Sequence, residues 1–168
     1  MLHFNYSTLI NAPVEVVWQF HDRSDILEKL TPPWQPVTIV SKQGGLAVGA
    51  TIEFRIQLGL IPVRWVAKHV ESEKPYLFTD VQLVGPLVSW RHEHQFTNIE
   101  GKTCLTDSIN YELPGGSLAE FCLGWWVNSR LAEMFKYRHQ VTKEDCESNL
   151  SPRGDLHRAA WKDNSPPN

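Results

Sequence analysis

The chain has 168 residues, 42% of them hydrophobic and 21% charged, with a formal net charge of -3. That length and balance fit one globular domain with a single core and exclude a disordered chain, and the negative charge argues against a nucleic-acid partner. The longest apolar run, Phe121 to Val127, has seven residues, far short of the roughly 18 of a membrane span, so no stable membrane insertion is expected. The opening MLHFNYSTLINAP lacks the basic and apolar regions of a signal peptide. Three cysteines, Cys104, Cys122 and Cys146, show neither metal spacing nor a disulfide framework, so a reducing cytoplasm is the expected location.

In chain order, residues 3–10 read as a strand with Phe4, Tyr6, Thr8 and Ile10 on one face. Asn11 and Pro13 then open a short amphipathic helix carrying Val14, Val17 and Trp18 at i, i+3 and i+4. A second short helix is expected at 24–31, capped by Ser24 or Asp25, with Leu27 and Leu30 inward; Pro32 and Pro33 end it. From Pro36 the pattern changes to long β-rich runs at 36–42, 50–58, 63–73, 76–84, 87–97 and 102–113. Gly44-Gly45, Gly59 to Pro62, Lys74-Pro75, Gly85-Pro86 and Asn98 to Gly101 separate them, as in an antiparallel meander. Pro114-Gly115-Gly116 stops the last strand. Residues 117–141 then read as a helix with Leu123, Val127, Leu131, Met134, Phe135 and Arg138 along one stripe. Residues 1–145 are expected to form the folded domain, and the polar, proline-bearing stretch 146–168 a tail that mostly does not pack.

The order β, α, α, six strands and one long helix implies an α+β fold. A strongly curved seven-stranded antiparallel sheet wraps around the C-terminal helix, with two short helices after the first strand. A sheet that curved around one helix leaves a hollow between them. The segments FTDVQLVGP (78–86), WRHEHQF (90–96), DSINY (107–111) and FKYRH (135–139), in that order, resemble the START-like superfamily of polyketide cyclases/dehydrases and lipid-transport proteins, and within it an uncharacterised bacterial cyclase/dehydrase-like branch. The resemblance covers about residues 1–142. It implies a helix-grip fold with a deep, largely apolar cavity that binds lipids, isoprenoids or polyketides in some members. It implies no universal catalytic residue, no cofactor and no metal.

Strand parity supplies the candidate lining. Trp90, His92, His94 and Phe96 share one face of their strand, and Leu105, Asp107, Ile109, Tyr111 and Leu113 share one of theirs. Phe78, Asp80, Gln82 and Val84 fall together, although Leu77, Val81 and Leu83 permit the opposite choice. Val63, Trp65, Ala67 and His69 form a further set, as do Ile52, Phe54, Ile56 and Leu58. The helix adds Val127, Leu131 and Phe135. The expected wall is therefore apolar (Phe54, Trp65, Trp90, Phe96, Ile109, Tyr111) around a polar island of Asp80, Gln82, His92, His94 and Asp107. Buried polar groups left unpaired cost about 1–3 kcal/mol each, so a His–Asp pair across neighbouring strands is the natural arrangement.

Three roles fit that island: a structural network that pins strand register, a patch that orients a ligand's polar end, or an acid/base pair of His92 or His94 with Asp107. A docking module with an incidental pocket is a further possibility. Two imidazoles from HxH can also serve zinc, with Asp80, Asp107 or His69 as third ligand. HxH spacing by itself secures only two donors, so no metal is expected. Trp18, Trp125 and Trp126 read as core or cavity wall, Arg138 as a donor to nearby carbonyls, and Arg55 and Arg64 as solvated or paired outer positions.

Overall fold

The computed structural model describes residues 1–58 and 61–149, and the expected meander is its dominant feature. The elements are β1 (Leu2–Ile10), α1 (Val14–His21), α2 (Ile26–Lys29), β2 (Val37–Gln43), β3 (Thr51–Leu58), β4 (Ile61–Glu73), β5 (Leu77–Val84), β6 (Ser89–Ile99), β7 (Lys102–Glu112) and α3 (Gly116–Ser148). All seven strands pair antiparallel in one sheet of order β1-β7-β6-β5-β4-β3-β2. The result is the helix-grip arrangement. Among the described residues no helix is long and apolar enough to cross a membrane. The stretch 150–168, most of the expected tail, lies outside the described residues.

Bulges bend the sheet, because an extra residue on one strand increases the local twist. Register shifts occur between Ile39 and Ser41, between Val66 and Ala67, and between His69 and Glu71. The second changes a face. Ala67 pairs with Gln82 but Val66 pairs with Val84, so the extra residue Leu83 moves Val84 off the inner face expected for it, and Val84 is 41% exposed. Phe78 and Asp80 keep their inward parity.

Helix α3 lies along β1 for the whole length of that strand. At one end Gly124 abuts Leu2, where an added Cβ would come within 3.1 Å of the leucine side chain. Further on, Phe135 meets Phe4 and His139 packs edge-on to Tyr6. At the other end the Asn11 N–H donates to Glu147 Oε1 at 2.8 Å. Left-handed Gly115 and Gly116, with φ of 101° and 65°, turn the chain from β7 into α3, a conformation that side-chain-bearing residues rarely adopt.

Several element ends differ from expectation. Helix α3 continues to Ser148 rather than stopping near 141, passing the expected boundary at 145, because Thr142 and Cys146 extend its buried stripe. Helix α2 is four residues long, and the Asp25 carboxylate pairs with Arg23 at 2.8 Å instead of capping it. Strand β4 begins at Ile61, with Pro62 paired to Gln57. Trp18 is core, whereas Trp125 is 71% exposed with its Nε1 donating to Cys122 O. Its neighbour Trp126 reaches the inner side of the helix. Arg64 pairs with Glu53 across the outer face, and Arg55 is exposed.

Phe135 is 1% exposed between Phe4 and His92, so Phe135→Ala should destabilise the fold by about 3–5 kcal/mol in urea unfolding. Trp125→Ala should stay within about 0.5 kcal/mol. Equal losses for the two would contradict this seating of α3.

Candidate functional site

The two halves of the sheet meet α3 differently. On the β1–β7–β6 side, Phe4, Ile109, Tyr111 and Phe135 close into solid core, with Leu113 and Leu131 at its border with the hollow. Beside them Ile10, Val14, Val17, Trp18, Phe96 and Leu105 form a second core under α1. On the β2–β5 side the curved sheet stands away from the helix, leaving a cavity of about 900 Å³. Ile52, Phe54, Ile56, Val63, Trp65 and Ala67 line its sheet wall, and Leu123, Trp126, Val127, Leu131, Met134 and Arg138 its helix wall. Trp34, 56% exposed and edge-on to Tyr137, stands at the rim.

Of the residues expected to line the hollow, Phe54, Trp65, Asp80, Trp90, His92, His94, Val127 and Leu131 do so. Phe96, Asp107, Ile109, Tyr111 and Phe135 do not. They face inward as parity requires, but on the half of the sheet that α1 and α3 fill, so each is 3% exposed or less. Gln82 is also off the wall. Its side chain folds against Gly85 and donates from Nε2 to Leu87 O at 2.9 Å, holding the β5–β6 turn.

The polar island lies where the solid half meets the hollow. His94 sits directly opposite Asp107 across β6 and β7, and His92 two residues away reaches the same carboxylate. Asp107 Oδ1 accepts from His92 Nε2 at 2.7 Å, and Oδ2 accepts from His139 Nε2 on α3 at 2.5 Å. His94 Nδ1 is 2.6 Å from Oδ1 but outside the angles of a hydrogen bond. Burial alone would raise the Asp107 pKa. The field of His94 and the N–H groups of His139 and His92 outweigh that and hold it well below the ordinary carboxylate value. An ionised carboxylate only accepts, so His92 and His139 each carry a proton on Nε2, and the lowered pKa of His92 leaves its Nδ1 as a lone pair. Burial also lowers the His92 and His94 pKa values. Phe78 stacks on His94 with centroids 4.0 Å apart.

A second row crosses the sheet beside the first. His69 on β4 faces Asp80 on β5, and Asp80 faces His92 on β6. Burial raises the Asp80 pKa and lowers that of His69. Asp80 Oδ2 and His69 Nδ1 are both buried without a hydrogen-bond partner. Arg138, lining the cavity from α3, donates to Leu30 O at 3.3 Å, and burial lowers its pKa. One donor atom each from Asp80, His92 and His94 lie within 4.8 Å of one another.

His139 and His21 were absent from the expected island. Each extends a stripe already visible in the sequence. His139 is four residues beyond Phe135 on the inward face of α3, and His21 is three beyond Trp18 and four beyond Val17 on α1. His21 is buried with Nδ1 2.8 Å from Val17 O, and its ring lies 6.3 Å from that of His94. Chemically, the arrangement offers an imidazole on a cavity wall backed by an ionised carboxylate, a pairing able to orient a polar group or move a proton.

Residues 10–139 match the family model described as polyketide cyclase/dehydrase and lipid transport. No curated protein matches the chain. Among solved structures, the protein TTHA0849 from Thermus thermophilus superposes with a TM-score of 0.70 at 14% identity, over 89% of this chain and all of its own. The Zhui aromatase/cyclase from Streptomyces sp. R1128 gives 0.70 at 12% identity, over 91% of this chain and 98% of that one. A nucleoside-diphosphate sugar epimerase from Corynebacterium glutamicum is 32% identical over 86% of this chain, with a TM-score of 0.65, and the match spans 29% of the epimerase chain.

Burial lowers the His21 pKa from 6.5 to about 4, so below pH 6.5 the unfolded chain takes a proton that the folded one refuses. Stability should therefore fall as pH drops through that window. His21 alone should account for about 2 kcal/mol between pH 7 and pH 5, with His69, His92 and His94 acting in the same direction. Urea unfolding at the two pH values measures the loss, which should shrink by that amount in His21→Leu. An equal loss in the variant would contradict the neutral, buried His21.

Proposed function

The chain belongs to the polyketide cyclase/dehydrase and lipid transport family, and from that membership and the cavity geometry we propose that it binds a small, mainly hydrophobic molecule of lipid, isoprenoid or polyketide type. The cavity carries the reading: about 900 Å³ between sheet and α3, apolar over most of its wall, with polar groups gathered at one side. That is the usual composition of a small-molecule site. The ligand's body lies against Phe54, Trp65, Val127 and Leu131. Its polar end lies at His94, His92 and Asp80, with Asp107 behind them orienting the imidazoles. Apolar contact supplies most of the affinity, about 25 cal/mol per Å² removed from water. The island sets orientation, since an analogue without the polar end leaves buried groups unpaired. The three free cysteines fit a cytoplasmic setting.

A second reading is supported by one feature, the cavity-wall position of His94 beside an ionised Asp107. In it His94 removes or delivers a proton in a cyclisation or dehydration, and Asp107 stabilises the imidazolium formed. Turnover of polyketide-like substrates, lost in a folded His94→Ala protein, would decide for it.

For binding, tryptophan fluorescence should report saturation by a long-chain fatty alcohol and by a hydrocarbon-like dye. His94→Ala should weaken the alcohol by about 1–3 kcal/mol and leave the dye nearly unchanged. A folded Ala67→Trp/Val127→Trp protein, with an indole on each wall, should bind both at least tenfold more weakly. If neither probe binds the wild type, or the double variant binds both as well as the wild type does, the cavity is not a ligand site.

A further inference from the structure

In the buried row His69–Asp80–His92, Asp80 takes a hydrogen bond from Trp90, but acceptor atoms of the row still face one another without a donor. Asp107 takes the Nε2–H of His92, which leaves the Nδ1 lone pair directed toward Asp80, 4.0 Å from Oδ1. Asp80 Oδ2 is buried and unpartnered, and so is Nδ1 of the opposing His69. A carboxylate oxygen facing an imidazole lone pair in a low-dielectric site is unfavourable, and a cation between them removes the conflict.

We propose that Asp80, His92 and His94 form a divalent transition-metal site on the cavity wall, with Asp107 as the outer carboxylate that orients the histidines and His69 as a further donor beside it. The expectation of no metal rested on HxH spacing securing only two donors. Pairing of β5 with β6 supplies the third by placing Asp80 opposite His92. The outer arrangement matches what ligating histidines require, because a carboxylate that accepts the other ring N–H fixes the tautomer and raises basicity. Here Asp107 does so for His92 and is itself held by His139. The three donor atoms lie within 4.8 Å of one another. Bonds of about 2.0–2.2 Å to zinc require ligand separations of about 3.3 Å, so side-chain rotations of about an ångström close the site.

Two imidazoles and one carboxylate leave coordination positions open, a donor set that suits zinc or ferrous iron. Those positions face the hollow, so the metal would take a carbonyl, enolate or hydroxyl oxygen of an apolar ligand and act on it as a Lewis acid. This assignment deepens the cavity reading, but metal uptake needs no organic ligand, so the two can fail separately.

The test uses the full chain, stripped with chelator and titrated at pH 7.5 with Zn²⁺ by calorimetry and with Co²⁺ by visible absorption. One metal per chain should bind, with a dissociation constant below about 10 µM and cobalt bands of nitrogen/oxygen coordination. Asp80→Asn and His94→Gln, each checked for fold by circular dichroism, should each weaken binding at least a hundredfold. Asp107→Asn should weaken it about 10–100-fold, as loss of an outer ligand does. No one-to-one binding up to about 1 mM metal, or titrations unchanged in the folded Asp80→Asn and His94→Gln proteins, would overturn the site. The second result would place the ion on surface groups such as His3.

Discussion

Asp107 is a carboxylate 3% exposed at the junction of sheet and helix, and much of the site depends on keeping it charged there. Removing such an ion from water costs of order several kcal/mol unless donors replace the solvent. The replacements come from two elements: His92 on β6, and His139 from α3. The same bonds therefore satisfy the charge, tie α3 to β7 and fix a proton on Nε2 of each ring. Without the helix, one carboxylate oxygen would lose its only imidazole donor.

The seating of α3 on β1 is the mechanical counterpart. Close approach at Gly124, the Phe4–Phe135 contact and the bond from Asn11 to Glu147 hold the helix against one edge of the sheet along its length. Bulges in β2, β4 and β5 curve the opposite edge away from it. A helix fixed to one edge of a bent sheet cannot also fill the space over the other edge. The hollow follows from the geometry, and the island sits on the line between filled and empty halves, which is why its polar groups are buried yet within reach of a guest.

Position relative to that line separates the roles of chemically similar residues. His92 and His94 border the cavity, whereas His139 and Asp107 lie behind them in close-packed surroundings. Substitution of the rear pair acts through the orientation of the front pair and through the attachment of α3. In the proposed binding role, substitution of His94 acts on the ligand rather than on the fold. Asp80 belongs with the front group. It has a buried oxygen without a donor, a cost of about 1–3 kcal/mol that a stable fold retains where a ligand or ion recovers it.

Periodicity and turn residues alone determined the order of elements, the antiparallel meander and the inward parity of β3, β4, β6 and β7. These are local properties, written in period-2 alternation and in Gly/Pro punctuation. They also brought His92 or His94 within reach of Asp107, because consecutive antiparallel strands joined by a short turn have little freedom of register, and the strand pairing then set His94 opposite it. Which inward residues are core and which are cavity wall was decided only by tertiary structure. Phe96, Ile109 and Tyr111 have the same parity as Trp65 and Trp90, and only the seating of α1 over Phe96 and of α3 over Ile109 and Tyr111 distinguishes them. Strand sequence carries no record of the Leu83 bulge that turns Val84 outward. His139 and His21 lay on visible helical stripes, yet their approach to Asp107 and His94 required the packing of α3 and α1 across strands distant in the chain. A buried charge recruits partners by distance in space, and sequence spacing reports only those on the same or adjacent elements.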